Sequence, residues 1–190
     1  DLAEPVAIAV DGDPDGNWIS ITAGRLKKDG SVHGELGFHE KPSRAAVLFL
    51  ISVIVRWDPV AVVVDSKGPD AYIRDDLIAE GIEPEDVTAG KMAAACVGLQ
   101  RAVDDEEITH TGDPVLLDAI KNATKRKIND GWGFARNGSS AISPLVSLAL
   151  ARHAVLSYGL KKTPPPAPPA VKTVEAGDQF DTSDLMVTGF

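Results

Sequence analysis

Two apolar runs, each ending at an aspartate, constrain the fold of this chain more than any other feature. The first run covers residues 5–10 and ends at Asp11, and the second covers residues 60–64 and ends at Asp65. Short, continuous apolar runs rich in β-branched residues are typical of strands that are buried on both faces. Each run therefore predicts a buried strand that presents a carboxylate at its carboxyl end.

The residues between the two runs predict an antiparallel meander followed by a crossover helix. Polar and apolar residues alternate over residues 18–24, Asp29-Gly30 is a strong hairpin signal, and residues 32–39 follow as a third strand. Residues 43–57 have the broad apolar face of a helix that packs on a sheet. A strand, a helix and a second strand in this order predict that the two apolar runs pair in parallel.

Helices and short strands alternate along the following residues. Helices are predicted over about residues 70–80, 90–103, 113–127 and 143–158, and short strands near residues 85–88, 108–109 and 132–134. Prolines then recur over residues 164–169, which favours polyproline II rather than a packed core. We therefore predict one domain over residues 1–158 and a proline-rich, disordered tail over residues 159–190. Whether Leu185, Met186, Val187 and Phe190 form a short docking peptide in this tail stays open.

The net charge limits how this chain meets nucleic acid. A formal charge of −9 and a pI near 4.8 argue against tight, unaided wrapping of DNA, because phosphate binding draws on clustered Lys and Arg. The exception is a basic group of four residues with Arg136 nearby, namely Lys121, Lys125, Arg126 and Lys127. This group is either a DNA-facing patch or a solvated helix end that the helix dipole favours. No apolar stretch approaches the roughly 20 residues that span a bilayer, so no membrane segment is predicted.

If the two apolar runs pair, the carboxylates of Asp11 and Asp65 converge at one edge of the sheet. Convergent carboxylates repel each other unless a cation lies between them, and oxygen ligands suit Mg²⁺ or Mn²⁺ better than Zn²⁺. Two such ions about 3.5 to 4 Å apart activate water and stabilise the leaving oxygen of a phosphodiester. The residues alone leave a second interpretation open, in which both aspartates only cap the turns after their strands.

Four ordered segments carry a resemblance to a known family. They are VAIAVDGDPDGNWISI, VAVVVDSKGPDAYI, THTGDPVLLDAI and GWGFARNGSSAISPLVSLALA, within residues 5 to about 158. In order and spacing they resemble the nuclease domain of phage terminase large subunits, chiefly those of tailed phages of actinobacteria. The resemblance implies an α/β, ribonuclease H-like fold, in which a mixed central sheet of the antiparallel meander plus parallel strands is flanked by helices. It also implies endonucleolytic cutting of concatemeric double-stranded DNA, with Mg²⁺ or Mn²⁺ held by Asp11 and Asp65 in a two-metal site.

The same resemblance implies partners and a location. An ATPase domain precedes the nuclease domain in such proteins, so the expected partners are double-stranded DNA, that ATPase domain, the small terminase subunit and the portal. The implied location is the host cytoplasm, without a membrane anchor. No G-x-x-x-x-G-K-[ST] pattern occurs in the sequence, so this chain is not expected to hydrolyse ATP.

One position departs from the family pattern. Relatives commonly carry an aspartate just before the Ile-Ser-Pro-Leu opening of the last helix, where this chain has Ala141. Alanine cannot bind a metal, so the loss of a third carboxylate is expected to weaken or abolish one metal site. Two explanations stay open: an engineered inactivating substitution, or a natural variant in which Asp130, Asp13 or water replaces the missing ligand.

Several other residues are candidates for accessory roles or contacts with DNA. His110 matches a histidine often seen in relatives. Three roles stay open for it, namely positioning DNA, assisting proton transfer, or forming hydrogen bonds within its own loop. Lys67, two residues after Asp65, either contacts phosphate or occupies a solvated loop. Trp132 and Phe134 alternate in a short strand, which favours a core position over stacking on bases.

Three other functions compete with a packaging nuclease. The same fold with an incomplete acid cluster would be a non-catalytic docking module between motor, portal and DNA. A junction resolvase or transposase-like nuclease would be expected to have a more basic surface. An actin-like kinase or ATPase half would need Gly-rich phosphate turns, of which Asp11-Gly12-Asp13 is only a faint version.

Overall fold

A five-stranded mixed sheet forms the centre of the chain in a computed structural model that describes residues 4–136 and 141–159. Its strands are β1 (Val6–Gly12), β2 (Ile19–Leu26), β3 (Val32–Glu40), β4 (Ala61–Val63) and β5 (Ile108–His110). They lie in the order β4-β1-β2-β3-β5. Strand β1 is parallel to β4, β3 is parallel to β5, and the β1-β2-β3 meander is antiparallel. The parallel pairing of the two apolar runs is therefore confirmed.

Helices and a two-stranded ribbon surround this sheet. The helices are α1 (Arg44–Trp57), α2 (Ala71–Ala79), α3 (Ala89–Asp104), α4 (Pro114–Lys121) and α5 (Ser143–Tyr158). The ribbon consists of β6 (Lys125–Ile128) and β7 (Gly131–Phe134), which pair antiparallel. A mixed sheet with an antiparallel meander, parallel flanking strands and surrounding helices confirms the predicted ribonuclease H-like class.

Alternation along β1 divides the apolar core into two layers. Ala7 and Ala9 belong to a cluster with α3 and α5, whereas Ile8 and Val10 belong to a cluster with α1 and α2. Successive side chains of a strand lie on opposite faces of the sheet. Asp11, two residues after Ala9, therefore lies on the face that α5 covers.

Helix α5 is buried on most of its surface, which explains why its sequence lacks an amphipathic stripe. Helix α5 lies close to β2 at Gly24, because glycine has no side chain there. A Cβ atom at this position would be only 3.0 Å from the carbonyl of Ala151. The hydroxyl groups of Thr22 and Ser147 form a hydrogen bond of 2.7 Å between the strand and the helix. Close approach and this buried polar contact together fix α5 over the centre of the sheet.

The helix predicted to run to about residue 127 is shorter in the structure. Helix α4 ends at Lys121, where the Asn122 side-chain amide donates a hydrogen bond of 2.9 Å to the carbonyl of Asp118. The Ala135 amide then donates to the Thr124 carbonyl, which continues the pairing of β6 with β7. The predicted continuation of the helix to residue 127 was therefore wrong, because pairing with β7 holds the residues of β6 in an extended conformation.

The strand predicted over residues 85–88 is reduced to a single parallel bridge between Val63 and Glu85. The next residue, Asp86, accepts hydrogen bonds of 2.9 Å from the amides of Ser66 and Val87. The Asp86 side chain thus accepts the backbone hydrogen bonds that a neighbouring strand would accept in a longer β-ladder. The chain consequently leaves the sheet after one residue.

The predicted proline-rich tail, residues 159–190, lies outside the described residues apart from Gly159. Its proposed disorder and its proposed docking peptide therefore stay predictions. Within residues 4–136 and 141–159, no helix combines the length and the apolar character needed to cross a bilayer.

Candidate active site

Asp11 and Asp65 lie at the same edge of the sheet. Strands β1 and β4 run parallel with Ala9 opposite Val63, so residues 11 and 65, two positions further along, leave their strands side by side. Asp11 is buried, with 1% of its surface exposed, whereas Asp65 is half-buried. The structure thus brings together the two aspartates that the sequence analysis singled out.

A third aspartate, Asp70, joins them, and the sequence analysis did not single it out. Asp70 is 1% exposed, and its Oδ2 atom accepts a hydrogen bond of 3.3 Å from the Asp65 amide. Although Asp70 occupies the N-cap position of α2, its side chain makes no capping hydrogen bond. The sequence signal was an aspartate directly before a helix, which is also what an ordinary cap looks like. We call the group of Asp11, Asp65 and Asp70 the acidic edge.

Two glycines allow the loop after Asp65 to fold back against β1. A Cβ atom at Gly68 would collide with Asp70 Oδ1 and would lie 3.4 Å from the Asp65 Cβ atom. A Cβ atom at Gly12 would lie 3.3 Å from the Asp70 amide nitrogen and 3.2 Å from the Pro69 Cβ atom. Larger residues at either position would push the loop away from β1, so these glycines bring Asp70 to the acidic edge.

Arg136, at the end of the ribbon, forms an ion pair with the acidic edge. Its Nη2 atom lies 2.5 Å from Asp11 Oδ1, and its Nη1 atom donates a hydrogen bond of 2.7 Å to the Gly12 carbonyl. The side chain is only 16% exposed. Arg136 had been predicted to face DNA, but in this structure its guanidinium group compensates the charge of a buried carboxylate.

The carboxyl groups of the acidic edge have strongly perturbed protonation. Burial raises the pKa of Asp11 to about 8, although Arg136 opposes the rise and Asp70 and Asp65 add to it. Burial likewise raises the pKa of Asp70 to about 6. Two buried oxygen atoms, Asp11 Oδ2 and Asp70 Oδ1, have no hydrogen-bond partner among the described residues. Buried carboxylate oxygens without a partner destabilise the folded state unless a proton or a cation compensates them.

A row of polar side chains extends from Asp11 across the same face of the sheet. Asp11 pairs with Ser20 in β2, and Ser20 pairs with His39 in β3. The Ser20 hydroxyl is 2.9 Å from His39 Nδ1 and 2.8 Å from the hydroxyl of Ser143 at the start of α5. The Trp18 ring stacks on the His39 ring with centroids 4.9 Å apart. The sequence analysis missed His39, because its proximity to Asp11 depends on the register of two strand pairs.

Burial lowers the pKa of His39 and so favours the neutral form of its ring. A neutral imidazole has one nitrogen that accepts and one that donates a hydrogen bond. The neutral His39 ring therefore exchanges a hydrogen bond with the Ser20 hydroxyl through Nδ1, whereas burial makes it a weaker base.

Ala141 cannot supply a third carboxylate, and this residue and its two candidate substitutes lie in different parts of the structure. Ala141 lies two residues before Ser143, whose hydroxyl reaches Ser20, the strand partner of Asp11. Asp13 closes the turn after β1 by accepting a hydrogen bond of 2.8 Å from the Asn17 amide. Asp130 is exposed in the turn between β6 and β7, at the opposite end of the ribbon from Arg136. Position 141 thus adjoins the row that includes Asp11, whereas Asp13 and Asp130 belong to turns.

His110 lies on β5, which is the fifth strand of the sheet and is separated from β1 by β2 and β3. At about 4.8 Å per strand, this spacing puts it roughly 14 Å from β1. Its Nδ1 atom accepts a hydrogen bond of 3.0 Å from the Gly112 amide. This contact supports the interpretation in which the histidine satisfies its own loop.

The other predicted DNA-binding residues lie on the surface. Lys67 is exposed in the loop after β4, and its amide donates a hydrogen bond of 2.8 Å to Asp65 Oδ1. Lys125, Arg126 and Lys127 form the exposed start of β6. The Lys125 ammonium group lies 4.2 Å from the centre of the Trp132 ring, in cation–π geometry. None of these four cations takes part in the ion pair between Arg136 and Asp11.

The acidic edge has the donor chemistry for a hard divalent cation. Its ligands are all carboxylate oxygens, and two of these atoms lack a partner among the described residues. Within the described ranges, however, no group of three or more His, Cys, Asp or Glu side chains is arranged closely enough to hold a metal ion. The positive charge of Arg136 at Asp11 Oδ1 also opposes a second cation at the same atom. The residues fit the ion chemically, and metal binding would require them to move closer.

The chain has a ribonuclease H-like fold, and three solved structures are similar to it over most of its length. The large terminase of bacteriophage HK97 is similar with a TM-score of 0.65 and 14% identity, over 80% of this chain and 40% of that chain. The nuclease domain of the Thermus phage P74-26 large terminase has a TM-score of 0.58 and 17% identity, over 78% of each chain. This chain therefore spans less than half of the HK97 protein and most of an isolated nuclease domain.

A third similar structure is the large terminase nuclease domain of bacteriophage SPP1, determined with bound Mn. It has a TM-score of 0.51 and 10% identity, over 82% of this chain and 88% of that chain. No protein-family profile matches the chain, and comparison with curated protein sequences finds no match either. The structural resemblance to phage large terminase nuclease domains is thereby confirmed, whereas its restriction to phages of actinobacteria stays a prediction.

Proposed function

We propose that this chain is the metal-dependent endonuclease domain of a phage large terminase, which hydrolyses phosphodiester bonds of concatemeric double-stranded DNA. The observation that carries the proposal is the acidic edge, where three aspartates meet at the carboxyl ends of two parallel strands. In open α/β sheets this end of the strands is where ligands bind. The fold shared with three terminase structures supports the same function.

Asp11, Asp65 and Asp70 would hold the metal ions, which we propose to be Mg²⁺ or Mn²⁺. Such ions, when bound as a pair, supply an activated water and stabilise the leaving oxygen of the phosphodiester. Asp11 and Asp70 are buried and offer oxygens that lack partners among the described residues. Asp65 is more exposed, and the Lys67 amide orients its carboxylate. The chain thus combines two fixed buried ligands with one accessible ligand.

Asp70 would supply the third carboxylate that Ala141 does not. It was not among the substitutes considered from the sequence, which were Asp130, Asp13 and water. Asp70 interacts with both other aspartates, because its charge contributes to the raised pKa of Asp11 and its Oδ2 atom accepts from the Asp65 amide. Asp130 and Asp13 occupy turns instead. We therefore propose a naturally complete acid set with a shifted third member.

The exposed cations would hold the DNA backbone. Lys67 follows Asp65 by two residues, so a phosphate at Lys67 would lie close to the metal ligands. Lys125, Arg126 and Lys127 extend a positive strip along β6. Because the net charge of the chain is −9, this local strip and the metal ions must overcome a repulsive background. Tight binding of DNA would then require the ATPase domain, the small terminase subunit or the portal, which we propose as partners.

A plasmid-cutting assay tests the proposal. Supercoiled DNA is incubated with the chain in Mn²⁺, in Mg²⁺ or in EDTA, and conversion to nicked and linear forms is measured. We expect metal-dependent cutting that falls by at least about a hundredfold in Asp70→Asn, because removal of one metal ligand raises the barrier by roughly 3 kcal/mol. Asp75→Asn, an exposed aspartate on the same helix, is the matched control and should cut normally.

A non-catalytic docking module remains the second candidate, because Arg136 already compensates Asp11 and the described residues contain no ready metal cluster. The variant Ala141→Asp separates the two functions. Cutting by the unmodified chain that is lost in Asp70→Asn supports the nuclease with Asp70 as third ligand. Cutting by Ala141→Asp alone shows that position 141 supplies the essential acid and contradicts the role of Asp70. If neither folded protein cuts under any metal condition, the docking module is the better description.

A further inference from the structure

An apolar cavity of about 460 Å³ lies beside α5, away from the acidic edge. Helices α3 and α4, strand β5 and the ribbon form its other walls. Its apolar lining includes Leu99, Val103, Ile108, Ile120, Phe134 and Leu148. This volume falls within the range of about 300 to 1,000 Å³ that is usual for ligand-binding clefts. The cavity is therefore large enough for two or three apolar side chains of a peptide.

The mouth of this cavity exposes apolar surface to water. Val103 on α3 is 56% exposed and Ile120 on α4 is 41% exposed, although both line the cavity. No described residue covers these side chains further. Contiguous exposed apolar surface of this kind usually marks an interaction site.

The charges around the cavity are mixed but mainly positive on the side of the ribbon. Lys125 lines the cavity, and Lys121, Arg126 and Lys127 are exposed nearby in the chain. Glu106 is the acidic lining residue on the opposite, α3 side. A ligand with apolar side chains and negative charges would complement both the walls and the ribbon side of the mouth.

A segment of this same chain has that composition. Residues 178–190, DQFDTSDLMVTGF, contain Asp178, Asp181 and Asp184 among five large apolar residues, without any Lys or Arg. The apolar residues are Phe180, Leu185, Met186, Val187 and Phe190. The aspartates match the cations beside the cavity, and the apolar residues match its walls.

The intervening chain is long enough to reach the cavity. Leu148 lines it, and the chain runs from there along α5 to the C-cap Gly159, which corresponds to roughly 16 Å along the helix axis at 1.5 Å per residue. About 25 residues separate Gly159 from Leu185. The proline run over residues 164–169 would span roughly 19 Å as polyproline II at about 3.1 Å per residue, and the other residues of the tether, about 19, would span roughly 22 to 26 Å as a flexible chain. A tether whose length matches the distance to be spanned raises the effective concentration of the segment at the cavity, so a weak contact suffices.

We propose that residues 178–190 dock into this cavity of the same chain, with Leu185 and Met186 among its apolar walls and the aspartates towards the cations of β6. The docked segment would cover Val103 and Ile120, which are otherwise exposed. The interaction would be independent of metal binding, because the cavity and the acidic edge share no lining residue.

Photo-crosslinking of the full chain tests this docking. The photoreactive amino acid p-benzoylphenylalanine replaces Leu185, the protein is irradiated, and the crosslinked peptides are identified by mass spectrometry. We expect crosslinks within one chain to residues 99–103 and 120–125. The same photoreactive residue at Thr173, which precedes the proposed docking segment, is the matched control and should give a several-fold lower yield at these peptides.

A second variant tests the cavity itself. Val103→Glu and Ile120→Glu place charge at exposed positions of the mouth, so they should leave the fold intact, which circular dichroism checks. We expect the crosslink yield to fall several-fold in this double variant. Crosslinks spread over other surfaces, or an unchanged yield in the double variant, overturn the proposal. Crosslinks to the cavity that form only between isotopically distinct copies also overturn it, since a second copy would then be the occupant.

Discussion

The guanidinium group of Arg136 lies 2.5 Å from Asp11 Oδ1 and donates a second bond of 2.7 Å to the Gly12 carbonyl. Asp11 is 1% exposed, so this pair joins a buried carboxylate to the loop that begins after the ribbon. Removal of one partner from such a pair costs much more than the pair itself contributes, because a charge stays buried without compensation. The stability of the domain therefore depends on the protonation state of the acidic edge.

Arg136→Met is expected to destabilise the metal-free protein by about 3 kcal/mol at pH 9, because Arg136 lowers the pKa of Asp11, and without it the buried carboxyl group must either stay charged without compensation or keep a proton that the unfolded chain releases. At pH 6 the loss should be smaller, since Asp11 has a raised pKa and stays protonated. Urea unfolding at the two pH values measures both quantities. Arg56→Met, which changes an exposed arginine of α1, is the control and should change stability little. Equal losses at both pH values would contradict the ion pair as the cause.

Mn²⁺ is expected to bind Arg136→Met more tightly than the unmodified chain, because the guanidinium group no longer opposes a cation at Asp11 Oδ1. Isothermal titration calorimetry with Mn²⁺ alone measures this affinity without any substrate. The double variant Asp11→Asn with Arg136→Met should lose the gain, since it lacks the carboxylate. Weaker binding by Arg136→Met would show that the arginine supports the metal site instead of competing with it.

Asp70 is expected to make the metal-free protein less stable as the pH rises. Burial raises its pKa from 3.8 to about 6, so the folded protein holds the proton more tightly than the unfolded chain does. The resulting stability is fully present below the unfolded pKa and is lost as the pH rises through about 6. The difference is on the order of 3 kcal/mol, given about 1.4 kcal/mol per pKa unit.

Asp70→Asn should remove this part of the pH dependence. Urea unfolding at pH 5 and pH 8 in the presence of EDTA measures it, with Asp75→Asn as the exposed control. We expect the unmodified chain and the control to lose more stability than Asp70→Asn between the two pH values. The same slope in all three proteins would mean that Asp70 is not buried as a carboxyl group.

Gly68→Ala is expected to destabilise the loop after Asp65 by roughly 1 to 3 kcal/mol, because its Cβ atom would collide with Asp70 Oδ1. The collision would also displace Asp70 and lower the affinity for Mn²⁺. Thermal unfolding and calorimetry measure the two effects. Gly90→Ala is the control, since its Cβ atom would meet only the Thr88 hydroxyl at 3.9 Å and a helical alanine is favourable. Unchanged metal affinity in a destabilised Gly68→Ala would separate the loop from the metal site.

Lys127→Gln is expected to weaken DNA binding and to lower the slope of log affinity against log salt by about 0.9, the value for one lost phosphate contact. Fluorescence anisotropy of a labelled duplex over a range of salt concentrations, in Ca²⁺ to prevent cutting, measures the slope. Lys28→Gln, in the turn between β2 and β3, is the control. An equal change in both variants would mean that β6 has no special role in binding DNA.

The acidic edge separates what could be predicted from the sequence from what could not. Asp11 and Asp65 were predictable, because each ends a continuous apolar run and parallel strands carry their carboxyl ends to one edge. Asp70 was not, because its position depends on contacts of Gly12 and Gly68 across the fold. In the sequence it was indistinguishable from a helix cap.

The ribbon gives the second example. Residues 125–127 were predicted to continue a helix when they were considered locally, and the pairing of β6 with β7 is what makes them part of a strand. The same pairing directs Arg136 towards Asp11, so a residue that looked like a surface cation became a buried partner. The register of β1, β2 and β3 similarly aligns Asp11, Ser20 and His39.

The sequence by itself determined the strands and most helices, because the apolar periodicity and the turn residues that specify them are local. It also determined that carboxylates end two of the central strands. Only the tertiary structure decided which third carboxylate joins them, which cation compensates Asp11, and where the ribbon begins. Those outcomes depend on contacts between residues such as Asp11 and Arg136, which are far apart in the chain. Burial then changes the free energies of their charged forms, and no local pattern encodes that burial.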